Sequence, residues 1–347
     1  MPVDSAALSR PPIGGFFERH EPDVGAGGPS VLEAWTGGRP FTAFVNARSA
    51  LAALASAADV TVWLPAFICV DTTDGLPRAR VRFYRVLDGF VPDLAVVEAQ
   101  AEPGDLVVLA AHFGLPLTES ARAFAKARAD LRFVEDRAQA LAPDLRPSLG
   151  YALYSPRKLL GVADGGILVA PDDVALLPQP SAAADADALW HAPLLRHADT
   201  LGADNASWHA ANQAKEAAMT AGPAAITSRS LDILSRTPIT GLVRARLANW
   251  RALDARLSRW STLPPEPEAP PLGYVLCLPP EVRSRLLAAL HAQRIFAAVH
   301  WPQIAAPEAD FPREHAWTRE LITLPCDHRY GLPQMQQIAD CVEEVLR

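Results

Sequence analysis

The chain has 347 residues, half of them apolar and a fifth charged, a net charge of −7 and a pI of about 5.7. That is long enough for a large core and two domains; the acidic balance and scattered arginines exclude nucleic acid as the main partner. No apolar run approaches the ~18 residues that a membrane span requires, and four distant cysteines (Cys69, Cys277, Cys326, Cys341) without a Cys-x-x-Cys pair exclude a zinc site or a disulfide framework. Reduced thiols in a cytoplasm are the expectation. Met-Pro-Val-Asp-Ser-Ala shows neither a basic nor an apolar leader region, so no signal peptide is expected.

Residues 1–40, rich in Gly and Pro, read as an irregular arm. An extended run over Phe41 to Val45 leads into a helix from Ser49 to Ala58. Val60 to Leu64, closed by Pro65, and Val81 to Val86 read as strands, and Asp93 to Gln100 as a helix. Asp105 to Ala110 is a short continuous apolar run, as expected of a strand buried on both faces. Ser120 to Asp130 has helical composition, and Leu131 to Glu135, Leu149 to Tyr154 and Gly166 to Ala170 complete the strands. Strands alternating with helices predict an α/β domain with a largely parallel sheet. Residues 175 to 225 are helical in tendency, and Ser228 to Leu257 reads as continuous helix. The run Pro264 to Pro271 is a boundary. After it come a strand (Gly273 to Leu278), a helix opened by Pro280 and ending at Gln293, a strand (Ile295 to Val299) and a closing amphipathic helix over 334–347. The expected organisation is an arm (1–40), a large domain (41–225), connecting helices (226–263) and a small α+β domain (264–347).

One loop stands out. Tyr-Ser-Pro-Arg-Lys-Leu-Leu-Gly-Val-Ala-Asp-Gly-Gly, residues 154–166, carries Lys158 between two apolar strands. Upstream, a strand ends in Glu135-Asp136-Arg137-Ala138-Gln139. Lysine is scarce in this chain beside arginine. A lysine on a glycine-rich loop can present a neutral amine to a cofactor aldehyde, and an acid at a strand end can keep a cofactor ring nitrogen protonated. The bland readings are a solvated hairpin lysine and a helix-capping aspartate. His191 and His197, six apart, do not share a helix face at i, i+4, so no metal pair is expected. His300-Trp301 reads as a packed pair or as part of a cleft wall.

With these residues the chain resembles the fold type I pyridoxal-phosphate enzymes, and within them the DegT/DnrJ/EryC1/StrS group, best known as sugar aminotransferases. The resemblance runs from Ile13-Gly14-Gly15-Phe16-Phe17-Glu18 through Asn46-Ala47-Arg48-Ser49-Ala50-Leu51, Leu64-Pro65-Ala66-Phe67 and His112-Phe113-Gly114. It continues through Glu135-Asp136-x-x-Gln139, Lys158 and Asp164-Gly165-Gly166 to Leu324-Pro325. It implies a mostly parallel seven-stranded sheet domain with a smaller C-terminal α+β domain. It makes Lys158 the cofactor-bonded lysine, Asp136 the partner of the ring nitrogen and Gln139 the neighbour of the phenolic oxygen. The cofactor phosphate falls at the helix start Ala47-Arg48-Ser49, where backbone N–H groups offer an anion site; Ser49 is either a phosphate ligand or a cap.

The chain also departs from the pattern. Leu153 stands where relatives carry a phosphate-binding serine, with Ser155 as a substitute. Cys69 stands where a ring-stacking aromatic falls, with Phe67 or His112 as alternatives. The Gly-Tyr-Asn-Tyr-Arg segment that reaches the neighbouring subunit's phosphate is not recognisable, leaving Ser228 or Ser230. The implied activity is amino transfer from an amino-acid donor to a keto acceptor, a keto-sugar or related biosynthetic intermediate, in a homodimer with shared sites. The alternatives are another pyridoxal-phosphate reaction (elimination, decarboxylation or condensation) and a non-catalytic relative that binds a partner.

Overall fold

A computed structural model describes residues 11–22, 27–56, 60–144, 146–172, 174, 176–264 and 267–347. Three sequence expectations therefore fall partly outside the described residues: the first ten residues and 23–26 of the arm, the helix end at Ala57 and Ala58, and Pro265 and Glu266 of the proline-rich boundary.

In chain order the elements are β1 (Ile13–Gly14), α1 (Val31–Thr36), β2 (Phe41–Phe44), α2 (Ala47–Ser56), β3 (Val62–Pro65), β4 (Val81–Tyr84), β5 (Val86–Leu87), β6 (Val91–Pro92), α3 (Ala95–Gln100), β7 (Leu106–Ala110), α4 (Glu119–Ala127), β8 (Arg132–Asp136), β9 (Tyr151–Tyr154) and β10 (Gly166–Val169). Then follow α5 (Ala186–Ala198), α6 (Asn205–Ala218), α7 (Ser228–Arg236), α8 (Ile239–Leu257), β11 (Tyr274–Cys277), α9 (Pro280–Ala292), β12 (Ile295–Phe296), α10 (Pro312–Glu320), β13 (Leu321–Leu324) and α11 (Leu332–Leu346).

Seven strands form one sheet in the order β2-β10-β9-β8-β7-β3-β4. β10 alone runs against the other six, pairing antiparallel with both β2 and β9. The remaining pairs, β9 with β8, β8 with β7, β7 with β3 and β3 with β4, are parallel. This is the expected α/β architecture with a mostly parallel seven-stranded sheet. Alternation assigns the faces. Leu106, Val108 and Val134 pack with Leu51 and Leu54 of α2 on one face, while Val107, Leu109 and Phe133 pack with Val97 of α3 and Ala121 of α4 on the other. Both faces are covered, which is why these strands read as unbroken apolar runs.

The described part of the arm carries more regular structure than its composition suggested. Ser30 caps α1 in a reciprocal box with Glu33, satisfying two of the helix's free N–H donors. Trp35 of α1 stacks on Tyr154 at 4.5 Å and donates Nε1–H to Leu141 O at 2.7 Å. Ile13 and Gly14 pair parallel with Ile295 and Phe296. The expected continuous helix over Ser228 to Leu257 is two helices, broken at Thr237-Pro238, because proline lacks the N–H and disfavours helical backbone in the residue before it. Three elements lacked a sequence reading, β6, α10 and β13. β13 lies antiparallel to β11, and these two strands share a core with α8, α9 and α11 through Trp250, Leu253, Tyr274, Leu286, Ile322 and Ile338. Among the described residues no helix is long and apolar enough to cross a membrane, no group of His, Cys, Asp and Glu is arranged to hold a metal, and all four cysteines are free.

Candidate active site

The parallel strands end together, and the residues singled out in the sequence follow those ends. β3 leads to Phe67 and Cys69, β7 to His112, β8 to Asp136 and Gln139, and β9 to Ser155 and Lys158. Because β10 is reversed, its start lies at the same edge, where Gly165 bridges Asn46 just before α2. Open α/β sheets gather ligands at this edge. The glycine that opens β10 is required: a Cβ on Gly166 would lie 2.3 Å from the backbone of Asn46.

Lys158 closes a single 3-10 turn, Pro156–Lys158, and lines three cavities at once. Among the described residues its amine makes no hydrogen bond or ion pair. A small cavity is walled by Cys69, Thr72, His112, Asp136, Gln139 and Trp301. A second lies against the start of α2, between Asn46, Ala47, Arg48, Thr72, Ser155 and Arg157. The third is large, about 740 Å³, and opens between Lys158, the Gly14–Phe17 segment, α6 and the strand ends near His300 and Thr323.

Asp136 sits where the first two cavities meet. Its Oδ1 accepts one hydrogen bond, from Ala138 N at 2.9 Å. Burial pushes its carboxyl up from the ordinary value of 3.8, and the Lys158 ammonium offsets part of that rise. Gln139 accepts from Phe113 N at 2.6 Å through Oε1, but its Nε2 donor is buried without a partner. Gly114, at φ +82, brings the His112 turn against the Gln139 backbone: a Cβ there would meet Gln139 O at 2.6 Å. His112 Nε2 donates to Phe67 O at 2.7 Å while Nδ1 is unpartnered. Burial lowers its pKa to about 4, so its ring is neutral at pH 7.

Phe67 is wholly buried and stacks behind His112, with ring centroids 5.9 Å apart. It lines none of the three cavities, so of the ring-stacking alternatives the geometry leaves His112 and Cys69. Ser49, for which the roles of phosphate ligand and cap were open, is buried as the residue that the cap holds. Its N–H and Oγ both donate to Asn46 Oδ1 at 2.8 Å, and its Oγ accepts from Gly222 N at 3.0 Å. Asn46 is thus the cap of α2, and Ser49 lines none of these cavities. Arg48 lines the second cavity but pairs with Asp71 at 3.1 Å and lies 3.9 Å from Asp74, so its charge is largely balanced. Ala47 and Ser155 line the same space. Ser230 is fully buried and bonded to Asp164 together with Thr227, whereas Ser228 is exposed.

Several wall residues escaped the sequence reading. Thr72 lies between the two smaller cavities. Arg157, beside Lys158 in sequence, is clamped by Glu216 at 2.6 Å to each carboxylate oxygen. Asn205, His209, Asn212 and Glu216 of α6 fall at helical spacing along the large cavity. His300, whose alternative as a cleft residue was open, lines that cavity and hydrogen-bonds through Nδ1 with Thr323 Oγ1 at 3.0 Å. Burial, with Lys158 adding to the effect, lowers its pKa to about 3.

No protein-family model matches the chain and no curated protein matches it. Solved structures do match. The chain is similar to a DegT DnrJ EryC1 StrS aminotransferase from Brucella abortus, at 15% identity over 90% of this chain and 87% of that one, with a TM-score of 0.60. It is similar to DesV of S. venezuelae at 18% identity, over 91% of this chain and 87% of that one, with a TM-score of 0.65. A Streptococcus pneumoniae protein named as a sugar aminotransferase, in its PLP form, matches at 15% identity over 96% of this chain and 94% of that one, with a TM-score of 0.62. The likeness shows the fold: this chain has the fold type I architecture of these aminotransferases.

Proposed function

We propose that this chain is a pyridoxal-phosphate-dependent aminotransferase of the DegT/DnrJ/EryC1/StrS kind, moving an amino group from an amino-acid donor to a keto acceptor, a keto-sugar or related intermediate. One observation carries the reading: the Lys158 amine, without a partner among the described residues, stands where a small cavity at Asp136 and Gln139, a helix-start cradle and a substrate-sized chamber converge. Bound pyridoxal phosphate supplies an aldehyde that condenses with amines and a ring that withdraws electrons from the adjoining α-carbon.

The residues present fit that group. Asp136 would hold the ring nitrogen, and a cation against its carboxylate relieves the burial that pushes its pKa up. The orphaned Gln139 Nε2 supplies a donor for the phenolic oxygen. The neutral His112 ring offers a face without charge to oppose a cationic ring. The α2 start, with Ser155 and Thr72, would hold the phosphate through N–H and hydroxyl donors; Arg48, balanced by Asp71, adds little. Lys158 would hold the cofactor through its Nζ, and the same amine would serve as the base and acid that moves the substrate's α-proton. His300, whose basicity burial lowers in the large cavity, is the weaker base for that proton.

The same reading carries a homodimer in the cytoplasm, supported by the resemblance and the four free thiols, and the division at 1–40, 41–225, 226–263 and 264–347. Purified protein reconstituted with pyridoxal phosphate is expected to show a visible absorbance band that an amino-acid donor bleaches and a keto acceptor restores. In Lys158→Ala the band is lost and turnover falls by at least about 10²–10⁴. A band that no donor bleaches would mean a reaction other than transamination; no band in the unaltered protein would remove the cofactor reading. A light-scattering mass of one chain would remove the dimer.

A further inference from the structure

We propose that Arg246 is a carboxylate-binding residue of the large cavity, taking the carboxylate of a substrate whose reacting carbon faces Lys158. The inference deepens the functional reading above and rests on it for the identity of the chamber. Two arginines line that cavity, Arg157 and Arg246. Arg157 already has a carboxylate partner, Glu216, which Lys215 shares at 3.4 Å. Arg246 has none: among the described residues it makes no ion pair. It is 1% exposed and its Nε has no partner. Its two hydrogen bonds run to neutral carbonyls, Nη2 to Leu159 O at 2.7 Å and Nη1 to Leu272 O at 3.4 Å. A guanidinium carries five donors, so most of them are unused.

The acid nearest in effect, Asp327, also lines the cavity, but its two oxygens are taken by Arg329 at 2.8 and 2.9 Å. Burial works against the Arg246 charge, and Asp327 offsets part of that. A buried cation without a bonded counter-charge is costly, and a carboxylate entering the cavity would supply the missing pair through a forked contact. The location suits such a substrate. The carbonyl that anchors Arg246 belongs to the residue after Lys158, so the anion site and the reactive amine are held by one loop. Phe17, 6.0 Å from the guanidinium carbon, adds an apolar wall against which a short carbon chain can lie.

The bland reading is that Arg246 only bolts the Lys158 loop to α8, and the test separates the two. Glutarate, which cannot react, is titrated calorimetrically into the protein as purified, alongside its neutral counterpart glutaramide. Glutarate is expected to bind roughly 10- to 100-fold more tightly, the range for a charge-assisted pair. Arg246→Gln should abolish that preference while leaving glutaramide unchanged, and Arg246→Lys should restore part of it. Equal binding of acid and amide by the unaltered protein overturns the proposal even if no variant folds. So does an equal loss for both ligands in Arg246→Gln. KM values then tell which substrate brings the carboxylate: a rise for the donor alone or for the acceptor alone supports the site and names its source, and no rise for either overturns it. Because glutarate binding needs neither cofactor nor turnover, failure of the aminotransferase reading would show as a missing absorbance band with the acid preference intact.

Discussion

Two adjacent carboxylates at the end of β8 face opposite sides of the sheet and live in opposite conditions. Glu135 is saturated: Arg137 bonds its Oε2, while Leu149 N at 2.7 Å and Ser148 Oγ at 3.3 Å donate to its Oε1. Asp136 accepts one backbone N–H and faces cavities shared with Lys158. The strand's period of two puts the first acid in a structural clamp and the second in a site. A group whose bonds are complete holds the fold; a group left incomplete where it lines a cavity is available to a ligand. The same contrast recurs between the fully paired Asp327–Arg329 cluster and Arg246.

Neutralising each acid in turn is the sharpest way to break the comparison. Glu135→Gln leaves Arg137 as a buried cation, although Asp144 lies 3.8 Å from it, and should cost about 3–5 kcal/mol in denaturant unfolding. Asp136→Asn should leave the unfolding midpoint near that of the unaltered protein while weakening the absorbance band. If both variants unfold alike, the division between clamp and site is wrong.

The pH profile of stability gives the next effect. His112 titrates near 4 when folded, against an ordinary value of 6.5. The unfolded chain therefore binds the extra proton first, so stability is lost as pH falls from about 6.5 to about 4 and is unaffected above that window. The shift corresponds to about 3 kcal/mol, and His300, lowered to about 3, acts in the same direction. Asp136, raised above 3.8, opposes them: its folded form holds the proton longer, so its contribution falls as pH rises above 3.8. His112→Gln should flatten the loss below pH 6.5; an unchanged slope would show that His112 is not buried as described.

The smallest effect belongs to Arg48. Paired with the half-exposed Asp71, it contributes about 0–1 kcal/mol to stability. Arg48→Gln should change cofactor affinity only a few-fold, measured by titrating the absorbance band. A loss of a hundredfold would make Arg48 a phosphate ligand despite its acid partners.

Much of this was legible in the sequence. The short apolar runs between helical stretches gave the strands of the large sheet to within a residue or two, and Lys158, Asp136 and Gln139, singled out by their order in the sequence, come together around one cavity. Less legible were features fixed by distant contacts. Phe67 and His112 looked interchangeable as ring partners, but Phe67 is packed away with Phe90, Trp301 and Trp317. Ser49 could be read as a phosphate ligand or as a cap, and only the fold shows its hydroxyl engaged by Asn46 and Gly222. α10 is a polar helix whose buried face includes Glu314, which accepts from Val86 N at 2.9 Å across 228 residues, so its sequence carries little apolar period. Thr237-Pro238, by contrast, was a readable signal of a helix break.

By itself the sequence determined the local grammar: where strands and helices form, where proline and glycine interrupt them, and which loop carries a solitary lysine. Those choices follow from backbone sterics and from residue periodicity over a few neighbours. Only the tertiary structure decided which polar groups were satisfied and which were left open. Arg246 lies 88 positions beyond Lys158 in the numbering, and nothing in its own stretch of helix distinguishes it from the arginines around it. Its burial without an acid beside the Lys158 loop arises from packing α8 against that loop, a contact between distant segments that no local pattern encodes.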